Sequence, residues 1–255
     1  MSKIELFQKL HESDELLVLG NAWDLPSARI LEKAGFKAIG TTSWGIAASL
    51  GYTDGETIDY ELQLSVIQRI VNHVQIPVTA DIESGYGHND DSIVSNVLKV
   101  ANLGVSGINI EDSMKGEKGL KQLADQCHLL VKIRDALDKR GFGNFYINAR
   151  IDAYLLNQDP LNETMTRMKE YVESGASGIF VPGLKHEEQI KTIASCTTAP
   201  LNVMALPGLT DCVMLRELGV RRLSLGAALY RKISMLMERC AVEMLDSRDT
   251  SILFE

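Results

Sequence analysis

The stretch VTADIESGYG, Val78 to Gly87, opens as a buried β-strand and runs into two acids and two glycines. Val78 to Ala80 continue an apolar run begun at Ile76, as expected of a strand covered on both faces. Asp81 and Glu83 sit where that run ends. An ionised carboxylate that leaves water without a partner costs several kcal/mol, so this ending implies something that compensates the charge. Side chains two apart on a strand share a face, which predicts that Asp81 and Glu83 point together out of one end of the sheet. Gly85 and Gly87 would let the backbone turn sharply beside them.

Outward from this strand the same unit recurs: a short apolar, β-branched run, then a longer segment with helical spacing that closes on glycine. Eight strand candidates emerge: ELLVLGN, FKAIGTT, IPVTADI, VSGINIE, NFYINAR, ASGIFVP, PLNVMAL and RRLSLG. Between them, ARILEKAG, ELQLSVIQRIVNHV, DSIVSNVLKVANLG, ADQCHLLVKIRDALDKRG, TMTRMKEYVESG, EEQIKTIAS and TDCVMLRELG read as helices, with a long helix from Ala227 at the end. Gly35, Gly104, Gly175 and Gly219 each fall just before a strand, the position of a left-handed helix cap. Strict alternation predicts parallel strands joined by right-handed crossovers, and a chain of 255 residues has the size of one closed barrel. The expected fold is therefore α/β, a (β/α)8 TIM barrel forming a single domain over residues 1–255. The alternative, an open doubly wound sheet, usually carries a GxGxxG phosphate turn after its first strand, and none follows Leu16 to Asn21. Arg222 to Gly226 reads either as a phosphate-binding turn or as a plain strand-to-helix turn.

Composition narrows the partners. A net charge of −8 without a basic stripe argues against nucleic acid. No apolar run approaches the ~20 residues that span a bilayer, and MSKIELFQKLHESDE lacks the apolar core and cleavage site of a signal peptide, so a soluble cytoplasmic protein without membrane partners is expected. Cys127, Cys196, Cys212 and Cys240 are scattered with no CxxC pair, which suits reduced thiols better than a disulfide framework or a zinc site.

In such a barrel the working face lies at the carboxyl ends of the strands. The predicted strands end in Asn21-Ala22-Trp23-Asp24, Thr42-Ser43-Trp44-Gly45, Asp81-Ile82-Glu83, Glu111-Asp112 and Asn148-Ala149-Arg150, with Asn202 opening the seventh. Asp81, Glu83 and Glu111 converge with no intervening lysine, an arrangement that repels itself unless a hard cation is present. Oxygen-only ligands suit Mg²⁺, with Mn²⁺ as a substitute, and the absence of histidine at these ends counts against zinc. Arg150 reads either as a two-pronged anchor for a substrate carboxylate or as an ion-pair partner of Asp152 or Glu111. Ser43, Trp44 and Gly45 supply a hydroxyl, an aromatic wall and backbone N–H groups for a carboxylate or developing oxyanion, although Trp44 also fits ordinary core. Asp112 reads as a helix cap or a loop salt bridge.

ADIESGYG, GINIEDS, INARIDAY, LNVM and GVRRLSLG together resemble the phosphoenolpyruvate mutase and isocitrate lyase superfamily along nearly the whole chain. The resemblance implies a Mg²⁺-dependent (β/α)8 barrel that binds a small 2-oxo acid and makes or breaks a C–C or P–C bond beside the carbonyl. It implies that Asp81 ligates the metal directly and that Glu83 and Glu111 act there through water. It puts Ser43, Trp44 and Gly45 on the substrate carboxylate, Arg150 where charge develops, Asn202 near the substrate and Asp54 of GYTDGE on a loop reaching toward the metal. A homodimer or homotetramer is implied, with the last helix exchanged between subunits. ALYRKISMLMERCAVEML carries the wide apolar face such an exchange would use.

The loop after the fourth strand departs from the named subfamilies. Lyases resembling this chain carry Lys-x-Cys-Gly-His, whereas Ser113 to Leu123 reads SMKGEKGLKQL, with neither cysteine nor histidine nor the asparagine of the phosphonate-processing members. Cys127-His128 falls within an amphipathic helix. The expected reaction is cleavage of a C–C bond in a small 2-oxo diacid, as in oxaloacetate decarboxylation or hydrolysis. A P–C mutase or hydrolase is the first alternative, followed by a (methyl)isocitrate lyase or a catalytically silent metabolite-binding barrel.

Overall fold

Eight short parallel strands close into a barrel in which each pairs with the next in the chain and the last pairs with the first. This computed structural model describes residues 1–116, 118–156 and 159–254. The chain enters through α1 (Lys3–Glu12), then β1 (Leu17–Ala22) and α2 (Leu25–Lys33). β2 (Ile39–Thr41) leads to α3 (Ser43–Ser49) and α4 (Tyr60–Val71), β3 (Val78–Asp81) to α5 (Asp90–Asn102), and β4 (Gly107–Glu111) to α6 (Leu123–Lys139). β5 (Tyr146–Arg150) continues through the short α7 (Ala153–Leu156) to α8 (Pro160–Glu173), and β6 (Gly178–Val181) to α9 (Glu187–Cys196). β7 (Leu201–Met204) precedes α10 (Cys212–Glu217), and β8 (Val220–Ser224) precedes α11 (Ala228–Ser247).

All eight predicted strands are present, because each buried strand of a parallel barrel reads as a continuous apolar run. Their outward faces form the main core: Ile108, Ile110, Ile147, Ile179 and Val203 pack with Leu129, Leu130 and Ile133 of α6 and with Ile190 and Ile193 of α9. Gly35, Gly104, Gly175 and Gly219 have φ of 96°, 90°, 100° and 93°, the left-handed caps expected of them.

The inward faces are unusually polar. Arg222 of β8 reaches across the lumen to Asn109 of β4, with Nη2 3.3 Å from Oδ1, and Asn148 donates to the same oxygen at 2.8 Å. Tyr146 fills the lower lumen, and Gly107 and Gly178 leave room for it: a Cβ on Gly107 would lie 2.4 Å from the Tyr146 carbonyl oxygen, and one on Gly178 2.2 Å from its hydroxyl.

Within MSKIELFQKLHESDE, Lys3–Glu12 form α1. Ser2 and Glu5 form a reciprocal capping box at the start of α1. Phe7 of α1 then meets Tyr146 edge-on at 5.4 Å between ring centroids, and His11 stacks on the same ring at 4.1 Å. This helix closes the end of the barrel opposite the candidate site.

Candidate active site

At the carboxyl ends of the strands, Ser43, Trp44, Asp54, Asp81, Arg150 and Arg231 line a cavity of about 250 Å³, with Asn109, Phe180 and Ser224 also in its wall. A larger cavity of about 670 Å³ opens at the other end, around His11 and Tyr146. It holds none of Asp54, Asp81, Glu83 and Glu111, and active sites of such barrels lie at the strand carboxyl ends.

Asp81 is the last residue of β3 and is fixed from several sides. Its N–H donates to Thr41 Oγ1 at 3.0 Å and its carbonyl accepts from Gln63 Nε2 at 2.8 Å. The Ser43 hydroxyl donates to Asp81 Oδ2 at 2.9 Å. Oδ1 is buried and has no hydrogen-bond partner.

Glu83 reaches the same neighbourhood by a different route from the one its spacing predicts. The β3 ladder stops at the Asp81–Asn109 pairing, and Glu83 takes a left-handed conformation with φ of 50°. Strand alternation therefore does not set its direction; the turn does. Gly85 N–H donates to Ile82 O at 2.9 Å and Glu111 N–H to Glu83 O at 2.9 Å, which locks the turn onto β4. Gly85 has the positive φ expected of it, 108°, whereas Gly87 is needed because a Cβ there would meet Ser92 and Ile93 at 2.6 Å.

The Glu83 carboxylate accepts from Tyr86 Oη and from the Glu56 N–H, the latter at 2.7 Å. Burial, followed by the nearby charges of Asp54, Asp81 and Glu111, raises its pKa to about 8, although the Tyr86 bond opposes the shift. Burial likewise raises Glu111, against the pull of Arg150. It also raises Asp54, whose carboxyl lies over the cavity beside Asp81 even though the residue is exposed. Burial is the largest cause of all three upward shifts, and neighbouring carboxylates add to each.

Arg150 makes the ion pairs with Asp152 and Glu111 that one reading of the sequence offered. Nε and Nη2 bind the two oxygens of Asp152 at 2.6 and 3.0 Å, and Nη1 lies 2.8 Å from Glu111 Oε2. Burial alone would lower its pKa, but Glu111 and Asp152 outweigh that effect and keep it charged. Asp152 is set in turn by Asp112, whose Oδ1 accepts the Asp152 N–H at 2.9 Å. Asp112 is fully buried and also takes the Tyr171 hydroxyl at 2.8 Å and Arg167 Nη1 at 3.3 Å, so it is the loop salt bridge rather than a cap.

Two expected substrate residues stand back from the cavity. Gly45 is buried, and its N–H donates to Thr42 Oγ1 at 3.3 Å as part of the α3 cap. Asn202 lies a layer deeper, where its Oδ1 accepts from Ser224 Oγ at 3.1 Å. Trp44 is half-buried in the cavity wall, edge-on to Tyr230 at 5.4 Å, and the Arg231 guanidinium lies 4.8 Å from the Trp44 ring centroid. Asp24 caps α2 and takes no part.

Sequence reasoning named Asp152 as a partner of Arg150 but missed Glu56, Tyr230 and Arg231. Glu56, at φ 56°, pins the Asp54 loop: its carboxylate accepts from Ser84 Oγ and Tyr86 N at 2.7 and 2.9 Å and meets Lys115 Nζ at 2.9 Å. Lys115 belongs to the Ser113 to Leu123 loop, which folds back through a Ser113–Leu120 bridge; Glu117 of that loop lies outside the described residues.

Among the described residues, no three His, Cys, Asp or Glu side chains close tightly enough to cage an ion unaided. The donor set nevertheless fits a hard cation held by one direct carboxylate and by water: Asp81 presents a bare buried oxygen, the other acids stand behind it, and neither histidine nor cysteine lines the cavity.

Residues 7–245 match the profile of the phosphoenolpyruvate phosphomutase family. The chain belongs to that family. Within it, an uncharacterised protein of Mycobacterium tuberculosis is 36% identical over 225 residues, 88% of this chain and 83% of that protein. Oxaloacetate decarboxylase 1 of Pseudomonas fluorescens is 32% identical over 222 residues, 84% of this chain and 75% of the decarboxylase. A Burkholderia cenocepacia crystal structure, provisionally assigned as a phosphonomutase, superposes with a TM-score of 0.90 at 31% identity, covering 94% of this chain and 98% of that one. Relatives of 30% identity or more include a decarboxylase and a Burkholderia cenocepacia protein provisionally assigned as a lyase or mutase, and this chain is an enzyme of the same family. No helix among the described residues is long and apolar enough to cross a membrane.

Proposed function

We propose that this protein is a divalent-cation-dependent lyase that breaks the C3–C4 bond of a small 2-oxo diacid, one carbon removed from the 2-oxo carbonyl, with oxaloacetate as the leading substrate. The observation that carries this reading is the bare, buried Asp81 Oδ1 in a small cavity shared with Arg150. Similarity to an oxaloacetate decarboxylase supports it.

Asp81 would hold Mg²⁺ directly, with Glu83, Glu111 and Asp54 acting through water. When bound, the cation supplies Lewis acidity at the substrate's 2-oxo and carboxylate oxygens. Ser43 fixes the Asp81 carboxylate so that one oxygen stays available. Arg150, charged and locked in orientation by Asp152 and Glu111, stands where negative charge grows as the C3 bond breaks, and a preorganised cation there costs no reorganisation. Trp44, backed edge-on by Tyr230, walls the cavity. The bond's electron pair passes to an enolate, carbon dioxide leaves, and protonation at C3 gives pyruvate.

We also propose that subunits associate through α11. None of its 20 residues is buried, and Met235, Met237, Val242 and Leu245 are 67%, 71%, 53% and 79% exposed, an apolar surface that a second copy would cover.

The P–C mutase reading draws on the Burkholderia cenocepacia structure. A panel of oxaloacetate, phosphonopyruvate, isocitrate and methylisocitrate, each with Mg²⁺ and with chelator, separates the two. Pyruvate from oxaloacetate supports the lyase, and turnover of phosphonopyruvate alone supports the alternative.

A further inference from the structure

Arg150 has both prongs of its guanidinium on Asp152 and its remaining nitrogen on Glu111. It can stabilise charge, but Asp152 already occupies its Nε–Nη2 edge and, with Glu111, offsets its charge. The other cation on the cavity wall, Arg231, is placed differently. It comes from the second turn of α11, its guanidinium rests on the Trp44 ring at 4.8 Å, and it forms no ion pair among the described residues. Stacking on an aromatic face holds a guanidinium in place while leaving its in-plane N–H donors available. Arg231 and Asp81 line the same cavity, so one small ligand can reach both.

We infer that Arg231 is the specificity-determining residue for a second carboxylate: it binds the far end of a dianionic 2-oxo acid whose near end lies at Asp81. This inference rests on the lyase reading proposed above. A cavity of about 250 Å³ lined by both Asp81 and Arg231 suits a short chain carrying an anionic group at each end. A monoanionic 2-oxo acid would leave the Arg231 donors unused.

The test uses Arg231→Gln and Arg231→Lys in the full chain, with two probes in the presence of Mg²⁺. Oxaloacetate reports on both ends of the cavity, and oxalate, too short to span it, reports on the cation end alone. The expected result for Arg231→Gln is a KM for oxaloacetate raised roughly ten-fold, as for loss of a charge-assisted hydrogen bond, with kcat within about three-fold of wild type. Oxalate affinity by calorimetry should be unchanged, which also shows that the variant is folded. Arg231→Lys should recover part of the loss. An unchanged KM for oxaloacetate, or equal weakening of oxalate and oxaloacetate, overturns the assignment. Wild-type protein that binds oxalate but neither binds nor cleaves oxaloacetate overturns the lyase reading itself, and that result is seen before any variant is made.

Discussion

Ser43 donates its hydroxyl to one oxygen of Asp81 at 2.9 Å and leaves the other oxygen buried and bare. An unsatisfied buried carboxylate oxygen costs on the order of 1–3 kcal/mol, and a bound cation removes that cost. Mg²⁺ should therefore raise the melting temperature. At about a hundred times its dissociation constant the gain is about 2.7 kcal/mol, or roughly 5–10 °C for a chain of this size. Asp81→Asn should abolish the shift and Ser43→Ala should reduce it, both read by a thermal melt with and without Mg²⁺. A full-sized shift in Asp81→Asn would place the cation elsewhere.

Asp152 holds Arg150 by two hydrogen bonds and is itself 3% exposed. Asp152→Asn keeps the shape but weakens the grip on the guanidinium. The expected outcome is a fall in kcat of roughly ten- to a hundred-fold with a smaller change in KM, as for a group that orients a charge-stabilising residue. Steady-state kinetics on the productive substrate provide the measurement. A change confined to KM would show that Arg150 serves binding rather than charge development.

Much of this was legible in the sequence, for identifiable reasons. The strands were readable because burial on both faces leaves no alternation to interpret, as in GINI of β4. Asp81 and Arg150 were found because each terminates such a run. Glu83 came to the site for a reason local spacing cannot express: the strand stops at Asp81 and a left-handed turn redirects the next acid. Glu56 and Arg231 were hidden because their partners are remote, Ser84 and Tyr86 for one and Trp44 for the other. The short helix α3 was missed because seven residues are too few to show a helical period.

His11 gives a pH dependence at the end of the barrel far from the acids. It is 2% exposed, its Nδ1 bonds the Phe7 carbonyl oxygen at 2.8 Å, and burial, with the charge of Arg222 next, pushes its pKa down to about 3. The folded state keeps it neutral while the unfolded chain binds a proton below pH ~6.5. The unfolded state thus holds more protons at acidic pH. The associated stability is fully present above pH ~6.5 and is lost as pH falls toward 3, at about 1.4 kcal/mol per pH unit. Denaturant unfolding at pH 6.5 and 5 should show a His11→Phe variant losing about 2 kcal/mol less than wild type over that interval. Equal losses would show that His11 is protonated in the fold.

The exposed apolar face of α11 should be covered in solution. Sedimentation at micromolar concentration is expected to give a dimer or tetramer, and the double change Met237→Asp with Leu245→Asp, at positions 71% and 79% exposed, should yield monomer with an unchanged far-ultraviolet spectrum. A wild-type monomer would contradict the assignment.

The central claim is that Asp81 and a divalent cation together drive C–C cleavage, and the most direct measurement is the rate of pyruvate formation from oxaloacetate. Wild-type protein with Mg²⁺ should exceed the Asp81→Ala protein with Mg²⁺ by at least a hundred-fold or so, about 2.7 kcal/mol of barrel-derived barrier lowering, and chelation should bring wild type down to the same floor. Equal rates for wild type and Asp81→Ala, or full activity in chelator, would contradict the account.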